Sequence, residues 1–281
     1  MEIGIGLPNA VRGVHGPHLV EWAQRAEQAG FSSLGTIDRI VYDNYESLIA
    51  LAAAAAVTDR IRLLTSILIA PLRPNTALFA KQAASVDGLS GGRLVLGIAP
   101  GGREDDYEVS GLDFHGRGKA FDRQLDDLRR FWDGDEVGPK PAQPGGPTVV
   151  LGGQSEAAFR RAAQHGAGWM MGGGTPDMFK EAMPKLDAAW KEAGRQGEPR
   201  RMALGYYSLG PNAEKNANEN LGHYYAWLGD YAQQIADSAA KDADTVKQYA
   251  AAFEEAGVDE FVFFPASSDP DQVALLREAL G

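Results

Sequence analysis

The sequence predicts a (β/α)8 TIM barrel on three observations: short apolar runs alternate with helically periodic segments, the alternation repeats eight times, and no linker or low-complexity stretch interrupts it. A chain of 281 residues is long for an ordinary domain, but barrels of this type fill about 200–250 residues or more as one unit. One domain over residues 1–281 is therefore expected. The rival, an open doubly wound sheet, usually has fewer strands and a switch point that this alternation does not announce.

The first strand reads Glu2–Leu7, and its helix is His18–Ala29, where Leu19, Trp22, Ala23, Ala26 and Ala29 fall on one face before Gly30 stops it. Phe31–Ile37 with Glu46–Val57, and Ile61–Ala70 with Thr76–Val86, are the second and third units. Arg93–Ala99 is the fourth strand; the polar, glycine-punctuated stretch Pro100–Arg117 is an inserted loop before the helix Ala120–Trp132. Past the Pro- and Gly-rich Gly134–Pro147, Thr148–Leu151 with Glu156–Gln164 and Gly168–Met171 with Asp177–Ala193 make units five and six. Met202–Ser208 is the seventh strand, followed by a long helical insertion, Ala213–Ala240, and the helix Ala243–Ala256. Glu260–Phe264 with Gln272–Leu280 closes the series, leaving insertions after strands four and seven.

Composition narrows the chemistry. With no cysteine there are no disulfides, iron–sulfur clusters, thiolate zinc sites or cysteine nucleophiles. The excess of 38 acidic over 27 basic residues, net −11, argues against a nucleic-acid partner. No stretch reaches the apolar length of a membrane span and the opening Met1–Gly6 lacks a signal-like start, so a cytoplasmic protein without a membrane partner is expected. Among five histidines, His15 and His18 share i,i+3 spacing but have no carboxylate at matching spacing, so no metal is expected. A Gly-x-Ser-x-Gly elbow is absent.

A barrel presents its chemistry where the strands end and the βα loops converge. There, Leu151-Gly152-Gly153-Gln154-Ser155 runs from a strand into a helix through two glycines, an arrangement that lets an anion such as phosphate approach the first-turn amides; a tight turn with a serine cap reads equally well. The neighbouring Gly172-Gly173-Gly174-Thr175 tilts the balance toward a ligand, because consecutive glycines are entropically costly unless close approach requires them. Asp38, ending strand two, either holds a polar ring edge, acts as acid or base, or pairs with Arg39. Tyr206, Tyr207, Tyr224, Tyr225, Trp227 and Tyr231 divide between core packing and the wall of an apolar substrate pocket.

The segment Leu64–Gly111 carries a resemblance. Thr65-Ser66-Ile67-Leu68-Ile69-Ala70-Pro71, Lys81-Gln82 and above all Leu89-Ser90-Gly91-Gly92-Arg93-Leu94 resemble the bacterial luciferase-like family of flavin-dependent monooxygenases and deazaflavin-dependent oxidoreductases. Asp38, Gly111–Arg117, Gly152–Ser155 and Gly168-Trp169 extend the match over nearly the whole chain. The resemblance implies reduced FMN, or the deazaflavin F420, across the barrel mouth. Its phosphate would face Gly152, Gly153, Gln154 and Ser155, with Gly172 and Gly173 of the neighbouring junction; Asp38, Ser66 and Ile67 would hold the ring, Gly101 and Trp169 are further cofactor-binding residues, and the Ser66–Ile67 peptide would be cis. Asp38, Arg103 and Tyr107 are the candidate catalytic residues, with Arg117 a further candidate for gating or substrate contact.

The deazaflavin dehydrogenase branch commonly has His after the strand-two Asp and an acidic donor after strand four; here those places hold Arg39 and Gly102. The expected reaction is therefore FMN-dependent insertion of oxygen from dioxygen into a small organic substrate through a flavin C4a-(hydro)peroxide, with a separate flavin reductase as partner and a homodimer formed through early helices around Ala52–Ala56. The alternatives are F420-dependent reduction or dehydrogenation, a lyase or isomerase of phosphorylated metabolites, and a flavin-binding relative without turnover.

Overall fold

Nine strands form one sheet in a computed structural model describing residues 1–281. They are β1 (Glu2–Gly6), β2 (Ser33–Thr36), β3 (Arg62–Thr65), β4 (Leu68–Ile69), β5 (Leu94–Ala99), β6 (Thr148–Gly152), β7 (Gly168–Met171), β8 (Arg200–Tyr207) and β9 (Glu260–Pro265). All pairings are parallel, and β3 also pairs with β5, which closes a barrel of eight strand positions. The helices are α1 (Gly16–Gln28), α2 (Ser47–Ala55), α3 (Thr76–Leu89), α4 (Glu104–Val109), α5 (Arg117–Asp133), α6 (Glu156–His165), α7 (Pro176–Glu192), α8 (Ala213–Tyr224), α9 (Tyr231–Asp237), α10 (Ala243–Glu255) and α11 (Asp271–Leu280). The architecture is the (β/α)8 barrel that the alternation predicts, and no helix is long and apolar enough to cross a membrane.

Three details differ from the sequence reading. The third strand, expected as one run over Ile61–Ala70, is broken into β3 and β4. Leu64 pairs with Val95 and Leu68 with Ile98, so four steps on this side oppose three on β5. That extra residue is a bulge, invisible to hydrophobic periodicity because the whole stretch is apolar. Ser66–Ile67, whose peptide bond is cis, lies within it. The inserted loop Pro100–Arg117 contains the short helix α4, whose first turn carries Glu104, Asp105 and Asp106, well matched to a helix N-terminus. The long helical insertion expected over Ala213–Ala240 is divided into α8, a 3-10 turn and α9; Gly229, at φ +59°, turns the chain between them.

Two apolar layers hold the barrel. The larger lies between strands and helices and includes Trp22, Phe79, Phe121, Trp169 and Phe179, all fully buried. The smaller fills the interior with Leu64, Val150, Met170, Met202, Leu204, Val262 and Phe264. Phe264 occupies space that Gly6 and Gly35 leave free, since a Cβ at either glycine would run into its ring.

The opposite end of the barrel is closed by charge. Glu260 is buried and accepts from Ser32 Oγ at 2.6 Å, Ser33 Oγ at 2.7 Å and Arg200 at 2.7 Å, with Arg62 at 3.2 Å. Glu2 pairs with the same two arginines. Burial raises the Glu260 carboxyl, but these donors and cations hold it below the ordinary carboxylate range.

Candidate active site

At the carboxyl ends of the strands lies a cavity of about 260 Å³. Ile37, Ile67, Ile69, Ala99, Leu204 and Trp227 give it an apolar lining; Asp38, Arg39, Ser66, Arg103, Tyr206, Tyr224 and Tyr225 supply the polar groups, and Gly153 and Gly172 complete it. Strand ends β2, β3, β5, β6, β7 and β8 contribute to it, and the two insertions form its roof. Six of the candidate catalytic and cofactor-binding residues therefore meet here, Asp38, Ser66, Ile67, Arg103, Gly153 and Gly172, with Tyr206, Tyr224, Tyr225 and Trp227 of the aromatic set.

Their chemical states differ. The Asp38 carboxylate is already saturated: Oδ2 accepts from Ile69 N–H at 2.8 Å and Arg73 Nη1 at 2.8 Å, Oδ1 from Arg73 Nη2 at 3.0 Å and Ser47 Oγ at 3.4 Å. Its partner is thus Arg73, not the adjacent Arg39. Arg73 also reaches Glu46 at 2.6 Å; burial lowers its pKa, yet the two carboxylates raise it on balance. Arg39 instead donates from Nε to the buried Asp106 at 2.5 Å and from Nη2 to Asp105 at 3.1 Å. Asp106 also accepts from the Ile40 and Val41 amides at 2.9 and 2.7 Å, fastening α4 to the loop after β2.

Ser66 Oγ is buried without a hydrogen-bond partner, as is Nη1 of Arg39. Ile67 projects beside Gly152, where a Cβ would collide with the Ile67 Cδ1. Gly153 sits at φ +109°, and its carbonyl accepts from Trp169 Nε1 at 2.6 Å. Ser155 is the N-cap of α6 and accepts from Ala158 N–H at 3.2 Å, while Gln154 is exposed beside it. Gly173 has φ +102°, and Gly101, at φ +70°, packs where a side chain would meet Ile69.

Gly101, Gly152, Gln154, Ser155, Gly173, Trp169 and Tyr107 do not line the cavity. Trp169 is fully buried between Phe159 and Phe179 in the helix–strand layer and supports the Gly153 turn from behind. Tyr107 packs with Ile69 and Leu72 and donates to the Pro100 carbonyl at 2.5 Å, so it anchors the first insertion. Arg117 likewise holds backbone, donating to Gly101 and Phe114 carbonyls at 3.1 and 2.7 Å. Arg103 pairs with Asp105 and stacks its guanidinium 4.7 Å from the Trp227 ring centre, bridging the two insertions above the cavity.

The tyrosines divide as the sequence allowed. Tyr207 is core and Tyr231 exposed, whereas Tyr206, Tyr224 and Tyr225 form one wall. Tyr206 and Tyr225 share a 2.5 Å hydrogen bond between their hydroxyls. Burial raises the Tyr206, Tyr224 and Tyr225 phenols above their ordinary range, so all three stay protonated near neutrality. Sequence reasoning missed Arg73 and the wall role of Arg39, Ile37, Ile69, Ala99 and Leu204. The only signal for Arg73 was a lone cation after an apolar stretch.

A closed parallel barrel with a largely apolar, donor-lined cavity where its strands end is the arrangement of an enzyme acting on small molecules. The chain belongs to the luciferase-like monooxygenase family, whose pattern matches residues 1–274. It is 34% identical over 209 residues to the uncharacterized protein Rv0940c of Mycobacterium tuberculosis (strain ATCC 25618 / H37Rv), covering 62% of this chain and 71% of that protein. The monooxygenase RslO1 from Streptomyces bottropensis shares the fold with a TM-score of 0.84 at 21% identity, covering 100% of this chain and 98% of that one. An F420-dependent secondary alcohol dehydrogenase in complex with an F420–acetone adduct does so with a TM-score of 0.80 at 19% identity, covering 100% and 99%.

Proposed function

We propose that this enzyme is a monooxygenase using reduced FMN, supplied by a separate flavin reductase, and dioxygen on a small organic substrate. The observation that carries this reading is the adjacency of the Gly152–Gly153 turn at the head of α6 to a cavity bordered by Ser66 and Ile67. The group fits the residues present: the turn has no side chain to block a phosphate, the first amides of α6 point outward with the positive end of the helix, and Ser155, whose Oγ accepts from Ala158, keeps its hydroxyl proton to donate. Ser66 borders the cavity, with its Oγ buried toward Gly35. When bound, the flavin supplies the electrons that activate oxygen.

The chain's own contribution is positional. Asp38, held by Arg73, fixes the Ile69 amide and with it the bulge that presents Ile67. Arg103 and Trp227 stack over part of the cavity mouth. Neither Arg39, committed to Asp106, nor Gly102 provides the proton donor of the dehydrogenase branch, which favours FMN over F420. The F420 reading keeps its support from the barrel shared with an F420-dependent dehydrogenase.

Parallel titrations of the protein with reduced FMN and F420 decide between them, followed by oxygen consumption with candidate substrates. Tighter binding of FMN and substrate-dependent oxygen uptake are expected. Tighter F420 binding without oxygen uptake would replace the first reading with the second.

A further inference from the structure

A second cavity, of about 230 Å³, lies away from the mouth. Helix α6 leaves the mouth at Ser155 and ends ten residues later at His165, a rise of about 15 Å, and the cavity sits at that far end, lined by the last turns of α5, the turn after α6 and the start of β6. Its apolar residues are Ile98, Leu125, Leu128, Trp132, Pro147 and Val149. The Trp132 indole N–H already donates to the Ala80 carbonyl at 3.1 Å, so that ring offers only hydrocarbon. Its ionisable residues are Arg129, His165 and Arg195, and no carboxylate lines it, in a chain whose net charge is −11.

Neither arginine has a carboxylate partner. Arg129 Nη2 donates to the His165 carbonyl at 3.3 Å and Arg195 Nη1 to the Ala163 carbonyl at 2.8 Å, so each satisfies one carbonyl in the last turn of α6. Arg195 also lies over the Trp190 ring, 4.3 Å from its centre. One such bond leaves most of a guanidinium's donors uncommitted. Asp126 comes within 3.9 Å of His165 Nδ1 and Asp133 stands near Gly145, but neither pairs with these arginines. Burial lowers the His165 pKa below its ordinary value, so near neutrality the positive charge at the cavity is that of the arginines. Capping α6 accounts for one bond from each arginine and not for the apolar recess they border. Guanidinium forks match a planar carboxylate, and the apolar residues suit a hydrocarbon body, which a bare phosphate lacks. We propose that this cavity binds a small organic monocarboxylate, with Arg129 and Arg195 on the carboxylate and the apolar residues around the hydrocarbon. The site stands apart from the coenzyme reading and needs neither FMN nor F420.

The probe is benzoate, compared with benzyl alcohol, which lacks the charge, and inorganic phosphate, which lacks the ring. Two of the five histidines report where it binds. His165 lines this cavity, whereas His223 Nδ1 is 3.2 Å from the hydroxyl of Tyr42, which packs on Tyr224 at the mouth. In proton NMR of the full chain, with His165→Gln and His223→Gln assigning the two ring signals, benzoate is expected to shift His165 and leave His223 in place. Benzyl alcohol and phosphate should each bind about tenfold more weakly or worse. Arg129→Gln with Arg195→Gln should weaken benzoate roughly tenfold or more and leave benzyl alcohol unchanged. Both arginines also cap α6, so Arg129→Glu, a helix former at an exposed position of α5, is the second variant, and it should lose benzoate while keeping the far-ultraviolet spectrum. A shift of His223 instead of His165, phosphate binding as tightly as benzoate, or unaltered benzoate affinity in Arg129→Glu overturns the proposal. If the wild type binds neither coenzyme while benzoate still shifts His165, the monooxygenase reading fails and this site does not.

Discussion

Ser155 combines two tasks, capping α6 and, on the proposed reading, holding a phosphate, and a single substitution separates them. Ser155→Ala removes a cap worth about 1 kcal/mol and a charge-assisted bond worth about 1.5–3 kcal/mol. FMN titration should show affinity reduced tenfold or more, while the melting temperature drops by only a few degrees. Glu260, at the other end of the barrel, offers a stability test. Its folded pKa lies below the ordinary value of 4.5, so its contribution is complete above 4.5 and disappears as pH falls through the lower folded value. Glu260→Gln should unfold at lower denaturant at pH 7 and lose less further stability than wild type between neutrality and acid, as followed by circular dichroism. An equal acid slope in both proteins would remove the carboxylate from this role.

Elements were the most legible scale. Hydrophobic periodicity locates every strand and barrel helix to within a few residues, because each must bury one face between two layers. It fails where backbone geometry rather than burial decides. The cis peptide at Ser66–Ile67 is reached only through resemblance, the turn at Gly229 is one residue in a helix-like stretch, and α4 is too short to show a period. The site followed the same division. Glycine turns at strand ends could be read, whereas Arg73 and Arg39 owe their places to partners 35 and 67 residues away in the chain. Placing Gly152 beside Ile67 makes the β6–α6 turn and the bulge one unit. Gly152→Val should therefore push Ile67 aside and lower coenzyme affinity at least tenfold, with the far-ultraviolet spectrum retained; an unaltered titration would show the two elements to be independent.

At the scale of the whole molecule, α2 and α3 leave Ile49, Leu78 and Leu89 exposed by 69, 49 and 70% around a groove of about 300 Å³. We infer that two copies meet on this face, as the alanine-rich α2 would permit close contact. Light scattering should give the mass of a dimer for the wild type and of a monomer for Ile49→Glu with Leu89→Glu. A monomeric wild type would sink this inference.

The ionic knot around Glu260 also separates closure of the barrel from the loops at its mouth. It joins strands from the beginning, middle and end of the chain at the end farthest from the mouth, so closure of the barrel does not rely on whatever the upper loops happen to hold. Transplanting both insertions from a relative should accordingly alter which compounds are accepted long before it endangers assembly of the scaffold.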